Sequence, residues 1–518
     1  MFIKLALLVV FFGVMIGIGI WCRKHSTSVD GFVLGGRSVG PWLTAFAYGT
    51  SYFSAVIFIG YAGQFGWKFG IASTWIGLGN AMIGSLLAWV LLGRRTRIMT
   101  QHLHSATMPE FFEQRYSSRA LKLVSSLIIF AFLIPYTASL YNGLSRLFAM
   151  AFNIDYLYCI LIMAVLTAVY VIFGGYMATA INDFLQGIIM LGGIVAVVAT
   201  VLNGQGGFTE ALASLARVED PAVSDVPGVF ASFFGPDPLG LLSVVILTSL
   251  GTWGLPQMVQ KFYAIKSEKA ISKGTIISTF FAVVVAGGCY FLGGFGRLFG
   301  DRIDIAADGF DAIIPAMLEG MPDILIGIVV ILVLSASMST LSSLVMTSSS
   351  TLTLDFIDGV VVKKKMSEKA KLIVIRTFIG IFIAVSVVIA AVQYKSNVTF
   401  IAQLMGVSWG ALAGAFLAPF LYGLYFKRTS RPAVWFCFLF GTGIMTLNLV
   451  CRSAFPAILQ SPINCGAFAM LVGLVACPVI SLCFPAKKTE SDKIDSIFAC
   501  YDEMVTVPVR RALEDPKE

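Results

Sequence analysis

The sequence has little charge and almost no histidine. Only 12% of its 518 residues are charged, about half the share found in soluble domains. The three histidines, His25, His102 and His104, lie between long hydrophobic stretches, so none is available at bilayer depth as a general base or metal ligand. The composition therefore argues against an ordinary soluble protein, an intramembrane protease and a metal-dependent membrane enzyme.

Cysteine is present without any paired spacing. Of the nine cysteines, Cys159, Cys289, Cys437 and Cys477 lie inside hydrophobic stretches. Isolated cysteines in such surroundings are typical of small buried hydrophobic side chains. We therefore expect neither a disulfide framework nor a cysteine-bound metal.

Long hydrophobic stretches dominate the chain. The sequence is 58% hydrophobic with a mean hydropathy of +0.87, and a helical crossing needs about 20 apolar residues. Thirteen crossings are predicted, at 3–22, 43–66, 71–93, 121–150, 155–175, 183–203, 239–260, 274–299, 323–354, 371–393, 397–426, 432–451 and 463–485. This pattern predicts an all-α polytopic membrane protein with one transmembrane domain at 1–485 and a tail at 486–518.

The charges in the connecting loops alternate in sign. One set of loops is basic, with Arg94, Arg95 and Arg97 after the third stretch and Lys261, Lys266, Lys269 and Lys273 after the seventh. The opposite set is acidic, with Glu210, Glu219, Asp220, Asp225 and Asp237 in one loop. Because basic loops stay in the cytoplasm, the N-terminus is predicted outside and the C-terminus inside. The net charge of +8 then reflects orientation in the bilayer and not nucleic-acid binding.

One hydrophobic stretch is crowded with hydroxyl groups. Twelve of the nineteen side chains from Ser335 to Thr353 are serine or threonine. Lipid offers such groups no hydrogen-bond partner, although some can bond back to their own helix. Positions 336, 339, 340 and 343 share one helical face. This pattern indicates a face that meets water, a polar ligand or a small cation.

Two other stretches carry helix-breaking residues. The second contains Gly49, Gly60 and Gly63 around polar Thr50 and Ser51. The seventh reads TSLGTWGLPQ, with a proline at 256. Freed backbone groups are tolerated in a membrane only where they face a cavity or protein, and a matching pair of broken helices is typical of inverted-repeat transporters. Ordinary glycine-mediated helix packing is the alternative.

Four motifs together resemble the sodium:solute symporter family. They are GFVLGGRSVGPWLTAFAYGTSYFSA at 31–55, FGGYMATAINDFLQG at 173–187, SASMSTLSSLVMTSSSTLTLDF at 335–356 and GVSWGALAGAFLAP at 406–419. The resemblance covers about residues 5–450 and is strongest to the bacterial sodium/proline branch. It implies a LeuT-type core of two inverted five-helix repeats, at 43–203 and 239–426, with one extra helix before (3–22) and two after (432–485).

The resemblance also implies a function and a sodium site. Members couple Na⁺ entry to uptake of a small organic solute by alternating access, here expected in a bacterial plasma membrane. Matched residue by residue, the Na⁺ ligands are the backbone carbonyls of Thr50, Phe53 and Ala336 and the hydroxyls of Ser339 and Thr340. The alternative is that both hydroxyls only bond back within their helix.

Some family members hold a second sodium ion. The matching residues here are Asp183, Ser342 and Ser343. Alternatively, Asp183 caps a helix N-terminus or lines the inner path.

The resemblance locates the solute pocket between the broken helices. The expected solute-binding residues are Ser54, Val56, Ile57, Tyr136, Thr252 and Trp253, with Trp409 in the outer gate. The alternative for Tyr136 and Trp409 is that they only pack against other aromatic side chains and take no part in binding or gating. Tyr52 and Val56 depart from the aspartate and tryptophan of the proline branch, which weakens proline as the solute and leaves an amino acid or small carboxylate favoured. With no positive charge expected at the midplane, a carboxylate would depend on helix N-termini and hydroxyls.

Other functions stay open on sequence alone. A proton-coupled transporter of the same fold would use Asp183 as its proton carrier. A membrane solute sensor is disfavoured by the short tail, and a membrane enzyme is the weakest alternative because clustered catalytic groups are lacking. We expect the partners to be the small organic solute and the lipid bilayer. We expect no nucleic-acid partner and no obligate protein partner.

Overall fold

Helices account for nearly all of the regular structure. The computed structural model describes residues 2–152, 154–305, 309–319, 321–362, 365–396, 401–485 and 491–502. Within these ranges, strand pairing is limited to two isolated bridges, Val39 with Ile265 and Asp220 with Ser224. The first bridge ties the segment before one broken helix to the end of the other. The predicted all-α class is confirmed.

Up to Ala216, the described residues form ten α-helices. They are α1 (Phe2–Trp21), α2 (Val29–Leu34), α3 (Pro41–Tyr52), α4 (Ala62–Phe69), α5 (Thr74–Gly79), α6 (Arg94–His102), α7 (Met108–Tyr116), α8 (Arg119–Phe152), α9 (Tyr156–Gly204) and α10 (Phe208–Ala216). Wider π-helical turns at Val56–Tyr61, Asn80–Leu87 and Trp89–Gly93 lead into or join some of them.

From Pro238 onwards, the described ranges contain eleven more. They are α11 (Pro238–Gly254), α12 (Pro256–Ala264), α13 (Glu268–Ala282), α14 (Gly288–Gly293), α15 (Ile313–Leu318), α16 (Asp323–Thr351), α17 (Glu368–Ser396), α18 (Ile401–Tyr425), α19 (Arg431–Val450), α20 (Pro462–Cys483) and α21 (Ser491–Phe498). The predicted tail is described only at 491–502; residues 486–490 and 503–518 lie outside the described residues.

Both predicted helix interruptions are present. After α3, Phe53 adopts an extended conformation (φ −86°, ψ 124°), and the helix resumes at Ala55. Between α11 and α12, Leu255 adopts nearly the same conformation (φ −83°, ψ 120°), and the two helices are bent by 46°. Pro256 starts α12 because it lacks an amide hydrogen and fits the first helical position.

Two helical runs are too long for one crossing. Val56–His102 has 47 residues and Leu157–Gly204 has 48, whereas a crossing takes about 20. Glycines with positive φ, Gly70 (+63°) and Gly175 (+59°), bend the chain inside these runs. In the described part of the chain, nine helices are long and apolar enough to span a membrane, or ten with the bent α11–α12 pair. The number of thirteen crossings and their orientation stay predictions.

Glycines let the helices around the first break approach closely. A Cβ at Gly187 in α9 would collide with the ring of Phe46 in α3 and lie 3.2 Å from Thr50. A Cβ at Gly143 in α8 would lie 3.2 Å from the Cβ of Ala55. Small residues at these positions bring α8 and α9 against the interrupted segment.

The contact between Gly66 in α4 and Gly293 in α14 provides a test of this packing. A Cβ at Gly66 would collide with the carbonyl of Gly293, so Gly66→Ala should lower the melting temperature of the purified protein by several degrees, since overpacking costs about 1–3 kcal/mol. Gly192→Ala is the matched control, because a Cβ there has no neighbour within 4 Å. Equal melting temperatures for the two variants would contradict this packing.

Candidate functional site

The hydroxyl-rich helix α16 crosses the break after α3. Every residue of α16 from Val329 to Thr351 is buried. The Ser339 hydroxyl donates to the Thr50 carbonyl at 2.9 Å, and the Thr340 hydroxyl lies 3.2 Å from the same oxygen and 3.3 Å from that of Phe53. The predicted polar face of α16 therefore meets the unwound segment.

The Ala336 carbonyl completes the cluster. It lies 3.0 Å from both the Ser339 and the Thr340 hydroxyl oxygens. In a continuous helix the Thr50 carbonyl would accept from the amide of residue 54; here it faces α16. Five oxygens, three carbonyls and two hydroxyls, thus converge in one buried place.

These five oxygens suit a small hard cation. All are neutral oxygen donors, the ligand type that hard cations prefer. The Thr50 side chain is not part of the set, because its own hydroxyl donates to Phe46 O at 2.8 Å. The Ser339 and Thr340 hydroxyls can rotate their hydrogens away and present lone pairs. Both hydroxyls also contact Ala336 O within their own helix. The two alternatives from the sequence, bonding within the helix and contact with the unwound segment, are therefore both present.

The same helix stabilises the chain beyond the break. The amide of Ala55 donates to the Ser337 hydroxyl at 3.2 Å. This amide begins the resumed helix and has no intrahelical acceptor. Its bond to Ser337 fixes where the helix restarts and holds Ser54 between the two helical parts.

Asp183 is not a helix N-cap. It lies eight residues beyond the bend at Gly175, inside α9, and its side chain is fully buried. The N-cap interpretation is therefore wrong, because the helix has already turned twice before this position. Neither carboxylate oxygen has a hydrogen-bond partner among the described residues.

Lys261 is a buried residue beside this site that the sequence analysis missed. The sequence-based span ended at 260 and assigned Lys261 to a loop, but α12 continues to Ala264 and the side chain is only 3% exposed. Its Nζ donates to the Ser343 hydroxyl at 2.9 Å and lies 3.9 Å from Asp183 Oδ2. A buried positive charge therefore lies in the helical core, which the sequence analysis did not anticipate.

The residues matched to a second sodium site divide into two groups. Ser343 and Asp183 both face Lys261, and Ser343 Oγ also lies 2.8 Å from Ser51 Oγ. Ser342 instead donates to the Ser339 carbonyl at 2.8 Å. In the sequence, Lys261 directly follows the segment PQMVQ at 256–260. That position gives no indication that its side chain points into the protein.

An aromatic cluster lies beside the unwound segment. The Trp409 ring is fully buried, 5.9 Å from the Tyr136 ring and 6.4 Å from the Tyr52 ring. Among the described residues, the hydroxyls of Ser54, Tyr52 and Tyr136 and the Trp409 indole N–H have no hydrogen-bond partner. Buried polar atoms in proteins are normally satisfied, so their convergence is typical of a polar ligand site. Trp409 is part of this cluster.

The other expected solute residues have different surroundings. Val56 and Ile57 are fully buried in the π-helical turn after the break. The Thr252 hydroxyl donates to Gly84 O at 3.1 Å, and the Trp253 indole donates to Ile83 O at 3.0 Å. Thr252 and Trp253 therefore tie α11 to Asn80–Leu87, and their donors are already engaged.

Known proteins resemble this chain in fold. A Na⁺-coupled sialic acid symporter, solved in a substrate-bound outward-open state, superposes with a TM-score of 0.74 at 19% identity, covering 94% of this chain and 99% of the other. MhsT in complex with L-phenylalanine gives 0.53 at 12% identity, covering 85% and 97%. These structures confirm the LeuT-type fold.

Sequence comparison adds the family. The sodium/proline symporter of Staphylococcus aureus is 30% identical over 433 residues, covering 82% of this chain and 81% of the relative. The profile described as "Sodium:solute symporter family" matches residues 32–441. On this evidence, the chain belongs to the sodium:solute symporter family.

Proposed function

We propose that this protein carries a small organic solute across the plasma membrane together with Na⁺, by alternating access, with its N-terminus outside. Family membership supports Na⁺ coupling. The observation that carries the proposed ion site is the convergence of the carbonyls of Thr50, Phe53 and Ala336 with the hydroxyls of Ser339 and Thr340, all between 2.9 and 3.3 Å.

The ion would couple to the solute through the unwound segment. Na⁺ bound to Thr50 and Phe53 orders the backbone next to Ser54, so the solute finds Ser54 already positioned. A coupling free energy of about 1–3 kcal/mol is typical of such linkage. The membrane potential adds about 2.3 kcal/mol per charge per 100 mV and drives the cycle inward.

The aromatic cluster supports an amino acid or small carboxylate as solute. Ser54, Tyr52, Tyr136 and Trp409 offer neutral donors that fit a carboxylate. The rings of Tyr52, Tyr136 and Trp409 can also face an ammonium group. The Staphylococcus relatives are named proline symporters, and Tyr52 and Val56 are where we expect this chain's preference to differ. We also assign a role in the outer gate to Trp409, which is itself a member of this cluster.

The sodium site is tested by removing its hydroxyls. Ser339→Ala and Thr340→Val should each raise the Na⁺ concentration for half-maximal uptake by at least about tenfold, because a hydrogen bond or contact to a charge contributes about 1.5–3 kcal/mol and 1.4 kcal/mol is tenfold. Uptake of labelled amino acids by vesicles at varied Na⁺ measures this.

The matched control for these variants is Ser350→Ala. Ser350 lies on the same buried helix, and its hydroxyl donates to Thr347 O at 3.2 Å, one turn away. This variant should keep the wild-type Na⁺ dependence. An unchanged Na⁺ response in both Ser339→Ala and Thr340→Val would show that the ion binds elsewhere.

The solute pocket is tested at Tyr136. Tyr136→Phe removes an unpartnered hydroxyl without opening a cavity, so the melting temperature should stay constant while the KM for the solute rises about tenfold. Tyr141→Phe, on the same helix and also buried, is the control and should leave the KM unchanged. The solute for this test is first identified by measuring the binding of a panel of amino acids, small carboxylates, vitamins and sugars, with and without Na⁺. Equal KM values for both variants would remove Tyr136 from the pocket.

Proton coupling, the alternative that the sequence left open, makes a different prediction. In proteoliposomes, an inward Na⁺ gradient at equal pH on both sides should drive accumulation of the solute. An inward proton gradient without Na⁺ should not, because the proposed Na⁺ ligands are neutral oxygens. The Asp183 carboxylate, the proton carrier of the alternative, lies 3.9 Å from the ammonium group of Lys261. Accumulation driven by the pH gradient alone would favour the proton-coupled carrier.

A further inference from the structure

Lys261 is a buried cation that the proposed sodium site does not use. Its Nζ donates to Ser343 Oγ at 2.9 Å, lies 3.9 Å from Asp183 Oδ2 and lies 5.1 Å from the centre of the Tyr176 ring. The side chains of Lys261 and Asp183 are 3% and 1% exposed. Buried charges require a partner of opposite sign. Lys261 and Asp183 are therefore partners for each other.

The ammonium group lies among residues that could otherwise hold a metal ion. Asp183 offers two carboxylate oxygens that accept no hydrogen bond from the described residues, and Ser343 offers a hydroxyl. The Ser51 hydroxyl, 2.8 Å from that of Ser343, reaches the same place from α3. A carboxylate and two hydroxyls are suitable ligands for a hard cation.

Two cations cannot share this place. The ammonium already balances the one negative charge, so a sodium ion there would add an uncompensated charge in a buried environment. Like charges a few ångströms apart repel strongly where solvent does not screen them. Lysine presents a compact point charge, which fits an ion-sized position better than the planar arginine side chain.

We propose, on the basis of the Na⁺ coupling proposed above, that the ammonium group of Lys261 permanently replaces a second sodium ion. The wild-type protein then binds one Na⁺, at the cluster of Ser339 and Thr340. Shortening Lys261 to a neutral side chain leaves Asp183 uncompensated and converts Asp183, Ser343 and Ser51 into a second Na⁺ site.

The lysine also joins the same elements that an ion would join. Through Ser343 and Asp183 it connects α12 to α16 and α9. Gln260, its neighbour in α12, accepts a hydrogen bond from Thr347 of α16 at 2.7 Å. A covalently attached cation holds these helices together throughout the cycle, whereas a bound ion would leave on each turnover. We therefore expect one Na⁺ per solute in the transport stoichiometry.

Equilibrium binding of radiolabelled Na⁺ to the purified full-length protein, without solute, tests this. Wild type should bind one Na⁺ per chain, and Lys261→Ala should bind two. Lys261→Arg keeps the charge and should bind one. Asp183→Asn added to Lys261→Ala removes the carboxylate and should return the number to one. Lys261→Met repeats the test with more of the packing retained if Lys261→Ala does not fold.

The outcomes separate this proposal from the proposed function. Two Na⁺ per wild-type chain, or one Na⁺ in folded Lys261→Ala and Lys261→Met, overturns the role of Lys261 and leaves Na⁺ coupling intact. Loss of the wild-type Na⁺ in Ser339→Ala supports the first site. If the wild-type protein binds no Na⁺, the proposed function is contradicted. The role of Lys261 is still supported in that case if Lys261→Ala binds a Na⁺ that is lost again when Asp183→Asn is added.

Discussion

Buried backbone groups must have partners, and an interrupted helix within a bilayer leaves several without one. In this protein α16 supplies them at the first break. Ser339 and Thr340 donate to freed carbonyls, and Ser337 accepts from the freed amide of Ala55. A hydroxyl that satisfies a carbonyl can rotate and share that carbonyl with a cation. The requirement that makes the break tolerable therefore also brings together the oxygens that we propose bind Na⁺.

Charge is distributed unevenly in this core. The oxygen cluster at Thr50 and Ser339 is neutral, so an ion bound there adds its full charge and responds to the membrane potential. One helical turn further along α16, Ser343 faces the paired charges of Asp183 and Lys261. The neutral oxygen cluster proposed to bind Na⁺ and the paired charges of Asp183 and Lys261 thus lie side by side.

Helix α16 contacts both interrupted helices through neighbouring turns. Ser339, Thr340 and Ser343 contact α3 around its break. Ser343 and Thr347 contact Lys261 and Gln260 of α12. A continuous set of hydrogen bonds therefore connects α3 to α12 through α16. Such a physical link between the two interrupted helices is what the proposed coupling of ion and solute needs.

Much of the ion cluster could be predicted from sequence because it depends on local spacing. Positions 336, 339 and 340 share a helical face, and the glycines and proline of the two broken stretches mark where backbone groups are freed. The resemblance supplied the pairing of Thr50 and Phe53 with that face. The alternative that Asp183 caps a helix N-terminus is wrong because α9 bends at Gly175 and has already turned twice before Asp183.

The chain by itself determined the helical class, the interruptions and the hydroxyl face, since each follows from residue spacing and from what lipid cannot solvate. Only the tertiary structure decided where Lys261 points and which polar atoms converge around Trp409. A long flexible side chain at the end of a hydrophobic stretch is equally suited to solvent and to a buried partner. Its direction depends on whether α9 and α16 bring Asp183 and Ser343 within reach, and that is a property of helix packing that no local pattern contains.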